Sequence, residues 1–338
     1  MKFNLISETQ SKFGILFMWP FAQPRSASYQ NHVSFKSSES SFEVSLGSLS
    51  RMPESGFSEA QKAAFLIKNK HKDLVLCLSG GIDSEVMLQS FLAVGAKFSI
   101  CFLRFRHGLN DFDILTNLKL VRKLALPFRI IELDVIAFFE SGMHLIYADK
   151  YQCQSPQLAA HLWMLDQIDG TPVLSGNPIF PTFVDLHAIY FMGLPGMLHA
   201  VYFRYFEITG RSGIPWFLLY TPELSATFLN HTSVEASLQE LWAPEKYDYL
   251  TKCRIYRDHG FKVAPRQDKF TGFERVRDFY DVVMGTNWGT GFDKAFRMPM
   301  ELKNPAPVSY RQVVPVRYLN PRKRIGFDST HPESQPVI

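Results

Sequence analysis

Apolar runs of strand length alternate along this chain with segments whose apolar residues recur at helical spacing. The run Leu74–Leu78 is continuous, which suits a strand covered on both faces, and the helical repeat after it ends near Gly95. Further strands are predicted at 98–103, 128–133 and 172–174, and helices at 85–92, 114–124 and 156–168. This order predicts a doubly wound, mainly parallel α/β sheet of Rossmann-like type, with ligands bound at the carboxyl ends of its strands.

The segments on either side of this α/β unit follow other patterns. Phe42, Val44 and Leu46 alternate with polar residues as in a half-buried strand, and Ser58 with Gln61 three residues later predicts the start of a helix. We therefore expect a short β-rich N-terminal segment (1–57), an α/β domain (58–185), a mainly helical C-terminal part (186–319) and a loose tail (320–338).

Composition restricts the class of protein. The chain has 338 residues, of which 46% are hydrophobic and 20% charged, so it is expected to be globular. A net charge of +4 neither requires nor excludes an anionic partner. The four cysteines form no close pair, which favours a reducing cytoplasm. The uncharged stretch 187–203 is broken by Gly193 and Pro195, so no membrane span is predicted.

The turn between the first predicted strand and its helix reads SGGIDS, residues 79–84. Its glycines allow close approach of the backbone, and N–H groups at a helix N-terminus favour an anion such as phosphate. It lacks the Gly-Lys-Ser/Thr of a Walker A loop and the G-x-G-x-x-G of a dinucleotide site. A tight connection with no ligand is the structural alternative.

This turn resembles the SGGxDS signature of the PP-loop ATP pyrophosphatases, matched here by Ser79, Gly80, Gly81, Asp83 and Ser84. The resemblance implies that residues 58–185 form an ATP-binding domain. Such enzymes cleave ATP between the α- and β-phosphates, giving an adenylated substrate and pyrophosphate. Loop amides, hydroxyls and the helix dipole would stabilise the departing pyrophosphate, and Asp83 would hold Mg²⁺.

A second stretch, residues 252–274, resembles the C-terminal synthetase domain of asparagine synthetases. The matching positions are Lys252 and Arg254 on a helix, followed by Arg266, Lys269, Gly272 and Phe273 in a loop. By this resemblance Lys252 would contact the pyrophosphate, with Lys269 as the alternative catalytic cation. From the residues alone, a solvated amphipathic helix with basic side chains is the alternative.

Two strand ends complete the predicted nucleotide site. Ser175 and Gly176 resemble the start of the family motif LSGxGxDE and would face the ATP pocket, but the acidic pair is absent and Asp185 is only a possible substitute. The strand containing Phe102 and Leu103 resembles the adenine-contacting strand, whose backbone would read the base.

The resemblance implies an ATP-dependent ligase that adenylates a carboxylate or amide oxygen, which an amine or ammonia then attacks. ATP, Mg²⁺ and an unidentified small acceptor are the expected partners. The first 57 residues are too short for the glutaminase of asparagine synthetases, and Lys2 replaces its nucleophilic cysteine. A tRNA-modifying PP-loop enzyme is an alternative supported only by the basic residues 322–324, so nucleic acid stays open but disfavoured. A nucleotide-binding protein that has lost catalysis is the other alternative, favoured by the missing acidic pair.

Overall fold

The computed structural model describes residues 25–29, 33–37, 42–176, 181–183, 188–191, 201–230, 249–265, 272–283, 290–303 and 308–313. The strands are β1 (Arg25–Tyr29), β2 (Val33–Ser37), β3 (Phe42–Leu46), β4 (Leu74–Leu78), β5 (Phe98–Phe105), β6 (Phe128–Leu133), β7 (Thr171–Leu174), β8 (Pro181–Phe183), β9 (Ala188–Phe191) and β10 (Val308–Val313). The helices are α1 (Gly56–Lys70), α2 (Ile82–Ala93), α3 (Asp111–Lys123), α4 (Val135–Glu140), α5 (Met143–Tyr151), α6 (Pro156–Asp166), α7 (Val201–Thr209), α8 (Pro222–Ala226), α9 (Tyr249–Asp258), α10 (Glu274–Val283), α11 (Thr290–Phe292) and α12 (Met298–Lys303).

Four parallel strands form one sheet, in the order β6-β5-β4-β7. Every residue of β4 and β7 is buried, as expected for strands covered on both faces. Starting from β4, the chain adds β5 and β6 on one side and then returns to place β7 on the other. The predicted α/β, Rossmann-like fold is therefore confirmed, and the reversal between β4 and β7 is the kind of position where such sheets bind ligands.

Helices cover both faces of this sheet because successive strand residues point to opposite sides. Leu76 and Phe102 pack in a core cluster with residues of α1, α2 and α3, such as Val86. Cys77 and Leu103, each one position further along, pack instead in a cluster with residues of α4, α5, α6 and α7. Among the described residues no helix combines the length and apolarity that a membrane crossing requires. None of the four cysteines is in a disulfide.

A second sheet has the order β1-β2-β3-β10-β9-β8, in which β3 and β10 are parallel and the other pairs antiparallel. The strand predicted from the alternation at 42–46 is β3. Strand β10 lies in the part predicted to be mainly helical, and β8 and β9 were not predicted. With three and four residues, β8 and β9 are too short to show a period of two. The proposed domain boundaries remain a prediction. This sheet does not test them, because it joins strands from distant parts of the chain.

Helix α1 begins earlier than its sequence pattern suggests. Ser55 is the N-cap, and its hydroxyl accepts a hydrogen bond from the Ser58 N–H at 3.3 Å. The hydroxyl of Ser58, predicted to be the cap, donates instead to Glu54 at 2.5 Å. The prediction of Ser58 as the N-cap was wrong. Ser55 and Ser58 are both residues that can cap a helix N-terminus, and Ser55 is the one that does.

Candidate functional site

A cavity lies at the carboxyl ends of β4, β5 and β7, where the strand order reverses. The end of β4, the loop after it and the start of α2 line its centre. Residues at and after the end of β5 line one side, and residues of α6, β7 and α7 line the other. The lining residues are Cys77, Leu78, Ser79, Asp83 and Ser84 in the centre; Leu103, Phe105, Asn110, Asp113 and Ile114 on the β5 side; His161, Met164, Leu174, Ser175, Gly176 and Tyr202 on the β7 side; and Gly272 and Phe273 from the C-terminal part. This is where a doubly wound sheet places its ligand.

The loop between β4 and α2 is held closed by its two serines. The Ser84 hydroxyl accepts a hydrogen bond from the Ser79 N–H at 3.1 Å and lies 3.1 Å from the Ser79 hydroxyl. The Ser79 hydroxyl also accepts from the Gly81 N–H at 3.2 Å. Gly81 is the N-cap of α2 and provides no side-chain cap. The first turn of α2 therefore has backbone N–H groups that a phosphate can bind.

Gly80 is required by a close contact with α3 within the protein. A Cβ at Gly80 would lie 1.3 Å from the carbonyl oxygen of Asp113. From the same helix, the fully buried Asn117 donates through Nδ2 to the carbonyl oxygens of Ser79 and of Gly81, the latter at 3.1 Å. Asn117 was not predicted from the sequence. Its signal is a polar residue on the same helix face as Ile114 and Val121, two buried apolar residues.

Asp83 is bound by two side chains of α9. Its Oδ2 lies 2.5 Å from Lys252 Nζ, and its Oδ1 accepts a hydrogen bond from the Tyr256 hydroxyl at 2.5 Å. The Asp83 and Lys252 side chains are only 13% and 17% exposed. The structure thus brings Lys252, predicted to contact pyrophosphate, to the predicted phosphate loop. Tyr256 was missed, because a tyrosine among apolar helix positions looks like a core residue.

The donor atoms at the loop suit a magnesium ion that arrives with phosphates. Asp83 provides a carboxylate and the two serines provide hydroxyl oxygens, which are hard oxygen ligands. Among the described residues, no group of three or more His, Cys, Asp or Glu side chains forms a metal site. One carboxylate completed by phosphate oxygens is a common Mg²⁺ arrangement, so the residues fit such a cation.

The other residues predicted for the nucleotide site differ in their placement. Leu103, Ser175 and Gly176 line the cavity, whereas the Phe102 side chain is fully buried and packs against Phe128 with ring centroids 6.3 Å apart. Gly176 has φ +68°, and a Cβ there would lie 1.8 Å from Trp216. Residues 177–180 and Asp185, as well as Arg266 and Lys269, lie outside the described residues.

Two further polar features of the cavity were missed. On the β5 side, the nearly buried Asp113 has its Oδ2 2.7 Å from the position that a Gly272 Cβ would take. On the β7 side, the Tyr202 hydroxyl lies 2.7 Å from His161 Nδ1. Burial raises the pKa of Tyr202 well above its usual value, so this hydroxyl keeps its proton at neutral pH. Burial also raises the pKa of the Cys77 thiol, which favours its protonated form.

Comparison with known proteins gives limited similarity. No protein family model matches the chain, and no curated protein matches its sequence. An NH₃-dependent NAD synthetase from Campylobacter jejuni, solved with a nitrate ion, is 14% identical with a TM-score of 0.30, over 62% of this chain and 99% of that one. An NMN synthetase from Francisella tularensis is 16% identical with a TM-score of 0.31, over 68% of this chain and 95% of that one. Such scores establish no relationship, and the fold rests on the strand order given above.

Proposed function

We propose that this protein is an ATP-dependent ligase that adenylates a carboxylate or amide oxygen and joins it to an amine or ammonia. The observation that carries the proposal is the contact of Lys252 with Asp83 of the loop 79–84, at the position where the strand order of the parallel sheet reverses. A helix N-terminus and two serine hydroxyls border this cavity, and one ammonium from a distant helix contacts Asp83 beside them. That set of groups suits a polyphosphate that gains negative charge as it leaves.

In the proposed reaction the acceptor oxygen attacks the α-phosphorus of ATP, and the bond from that phosphorus to the bridging oxygen breaks. Pyrophosphate departs with the electron pair, and Lys252 would stabilise its growing charge after turning from Asp83. The nitrogen nucleophile then attacks the adenylated carbon, loses a proton and expels AMP. The backbone N–H groups of the first turn of α2 are fixed in the protein, so they would stabilise this charge without reorganising.

Asp83 would hold Mg²⁺ together with the phosphate oxygens, and the bound cation would neutralise charge on the triphosphate. We place the adenine on the β5 side, where the backbone at 102–103 would read the base. Ser175 and Gly176 would face the ATP, and the acceptor would lie beyond them on the β7 side. That side also carries the hydrogen-bonded pair His161 and Tyr202.

A nucleotide-binding protein without turnover is the second candidate. It is favoured by the occupation of both Asp83 oxygens by Lys252 and Tyr256 and by the missing acidic pair after Gly176. Such a protein would bind ATP but release no pyrophosphate.

Calorimetry with ATP and Mg²⁺ tests the binding step. Asp83→Ala should abolish Mg²⁺-dependent ATP binding and leave the circular dichroism spectrum unchanged. Asp111→Ala is the matched control, because this carboxylate binds Arg104 at 2.8 Å and does not line the cavity. Unchanged affinity in Asp83→Ala would refute the assignment. Measuring pyrophosphate release with a mixture of amino acids as acceptors then distinguishes the ligase from a nucleotide-binding protein without turnover.

A further inference from the structure

From the contacts of Asp83 we infer that Lys252 is the counter-ion of this carboxylate in the nucleotide-free protein, and that a magnesium–nucleotide complex displaces Lys252 from it. Tyr256 is the residue that positions the Asp83 carboxylate. The inference rests on the proposed function, since it concerns the same loop. It adds an exchange of cations at Asp83: the Lys252 ammonium leaves the carboxylate only when phosphate oxygens are present to bind the ammonium.

The two donors reach Asp83 from one face of α9. Lys252 and Tyr256 are one helical turn apart, so their side chains lie side by side and each takes a different carboxylate oxygen. Tyr256 is completely buried, and its ring packs against Phe228 and Phe261 with centroids 5.6 and 5.5 Å away. Packed rings hold the Tyr256 hydroxyl in place, and the hydroxyl fixes the carboxylate.

Lys252 is the partner that can move. Its ammonium sits on a flexible stem of four carbons, whereas the phenol of Tyr256 has no such freedom. A carboxylate offers about four lone-pair positions, so Asp83 can bind a cation while keeping its bond to Tyr256. It cannot readily do so while keeping an ammonium 2.5 Å from Oδ2, because the two cations repel each other.

The exchange couples metal to nucleotide. A divalent cation alone must displace Lys252 and leave the ammonium with no anion in return. When the cation arrives bound to triphosphate, the cation binds Asp83 and the triphosphate oxygens become available to bind Lys252. The protein should therefore bind the divalent ion poorly by itself and well together with ATP, a positive coupling between two ligands.

The test is the binding of Mn²⁺ alone to the nucleotide-free protein, measured by calorimetry. Lys252→Met should bind Mn²⁺ about tenfold more tightly than the parent, the size of effect that one adjacent charge has on a neighbouring ionisable group. The double variant with Asp83→Asn should lose that gain. Lys262→Met is the control, because it removes an equal charge from an exposed residue just beyond α9.

Equal Mn²⁺ affinity in the parent and in Lys252→Met would overturn the inference, as would the same gain in Lys262→Met. Tyr256→Phe keeps the charge pair, so its affinity for Mn²⁺ alone should stay within about twofold of the parent. Its gain in ATP affinity on adding Mg²⁺ should shrink, because the carboxylate is no longer fixed; a tenfold rise in Mn²⁺ affinity in this variant would contradict the assigned roles. A parent that binds no ATP would refute the proposed function, whereas the Mn²⁺ comparison would still decide whether Lys252 is the counter-ion.

Discussion

Two aspartates in this protein are bound in nearly the same way and lie in very different places. Asp83 accepts from Lys252 and Tyr256, and Asp166 accepts from the hydroxyls of Tyr147 and Tyr205 at 2.5 and 2.6 Å. Asp83 lies in the first turn of α2 and lines the cavity. Asp166 is the last residue of α6 and does not line it.

The surroundings of Asp166 have a structural purpose. Arg211 donates to the carbonyl oxygens of Leu165 and Ile168, the former at 2.7 Å, and so satisfies the end of α6. Its Nη1 is 4.0 Å from the Asp166 carboxylate. A carboxylate with two hydrogen-bond partners therefore does not by itself indicate a functional site. Position relative to the strand ends and to a helix N-terminus distinguishes Asp83 from Asp166.

The largest expected effect falls on Lys252. The charge on pyrophosphate is greater in the transition state than in bound ATP, so Lys252→Ala should lower turnover more than ATP affinity. Loss of one such electrostatic donor costs about 3 kcal/mol, or roughly 100-fold in rate. Pyrophosphate release measures turnover and calorimetry measures affinity. Lys269→Ala is the companion variant; parental turnover in both would show that the resemblance of residues 252–274 to the synthetases is wrong.

Substitution by asparagine should affect different properties at the two aspartates. Asp166→Asn weakens hydrogen bonds to a charged acceptor and should lower the free energy of unfolding by about 2 kcal/mol. ATP affinity in the presence of Mg²⁺ should not change. Asp83→Asn should do the reverse, with a large loss of affinity and a smaller loss of stability. Urea denaturation and calorimetry on both variants check this, and a loss of ATP affinity in Asp166→Asn would remove the distinction between the two aspartates.

Local patterns in the sequence predict the α/β sheet and the loop well. The bounds of β4 and β6 agree with the prediction to the residue. β4 is a buried apolar run that ends where Ser79 begins the loop, and β6 lies between Pro127 and Asp134, both of which interrupt a strand. The loop 79–84 is a contiguous motif, so its placement between strand and helix follows from its neighbours.

The rest of the site depends on contacts between distant segments. Tyr256 reaches Asp83 across 173 positions, and no period or motif in one sequence records such a pairing. Asp113 enters the cavity only because α3 packs against Gly80. The second sheet has the same origin: β3 and β10 pair from nearly opposite ends of the chain.

Alkaline pH offers a test of the Asp166 cluster. Burial, followed by the bond to Asp166, raises the pKa values of Tyr147 and Tyr205 well above the usual value. In the unfolded chain these phenols lose their protons near pH 10. Their contribution to stability is therefore complete below about pH 10 and is lost as the pH rises towards the folded-state values. Urea denaturation at rising pH should show this decline, and Tyr147→Phe with Tyr205→Phe should reduce its slope. An unchanged slope would show that these phenols are not the cause.

The smallest expected effect is at Tyr280, a buried tyrosine with no carboxylate. Burial raises the pKa of Tyr280 to about 12, and its hydroxyl has no hydrogen-bond partner among the described residues. Removing an unsatisfied buried hydroxyl is close to neutral or stabilising, whereas removing one that binds a carboxylate costs about 1.5–3 kcal/mol. Tyr280→Phe should therefore change the free energy of unfolding by less than about 1 kcal/mol, and Tyr205→Phe should lower it clearly more. Urea denaturation of the two variants at pH 7 decides the point. Equal losses would mean that the tyrosine bonds to Asp166 add nothing beyond burial of the rings, and the structural role assigned to that aspartate would fail.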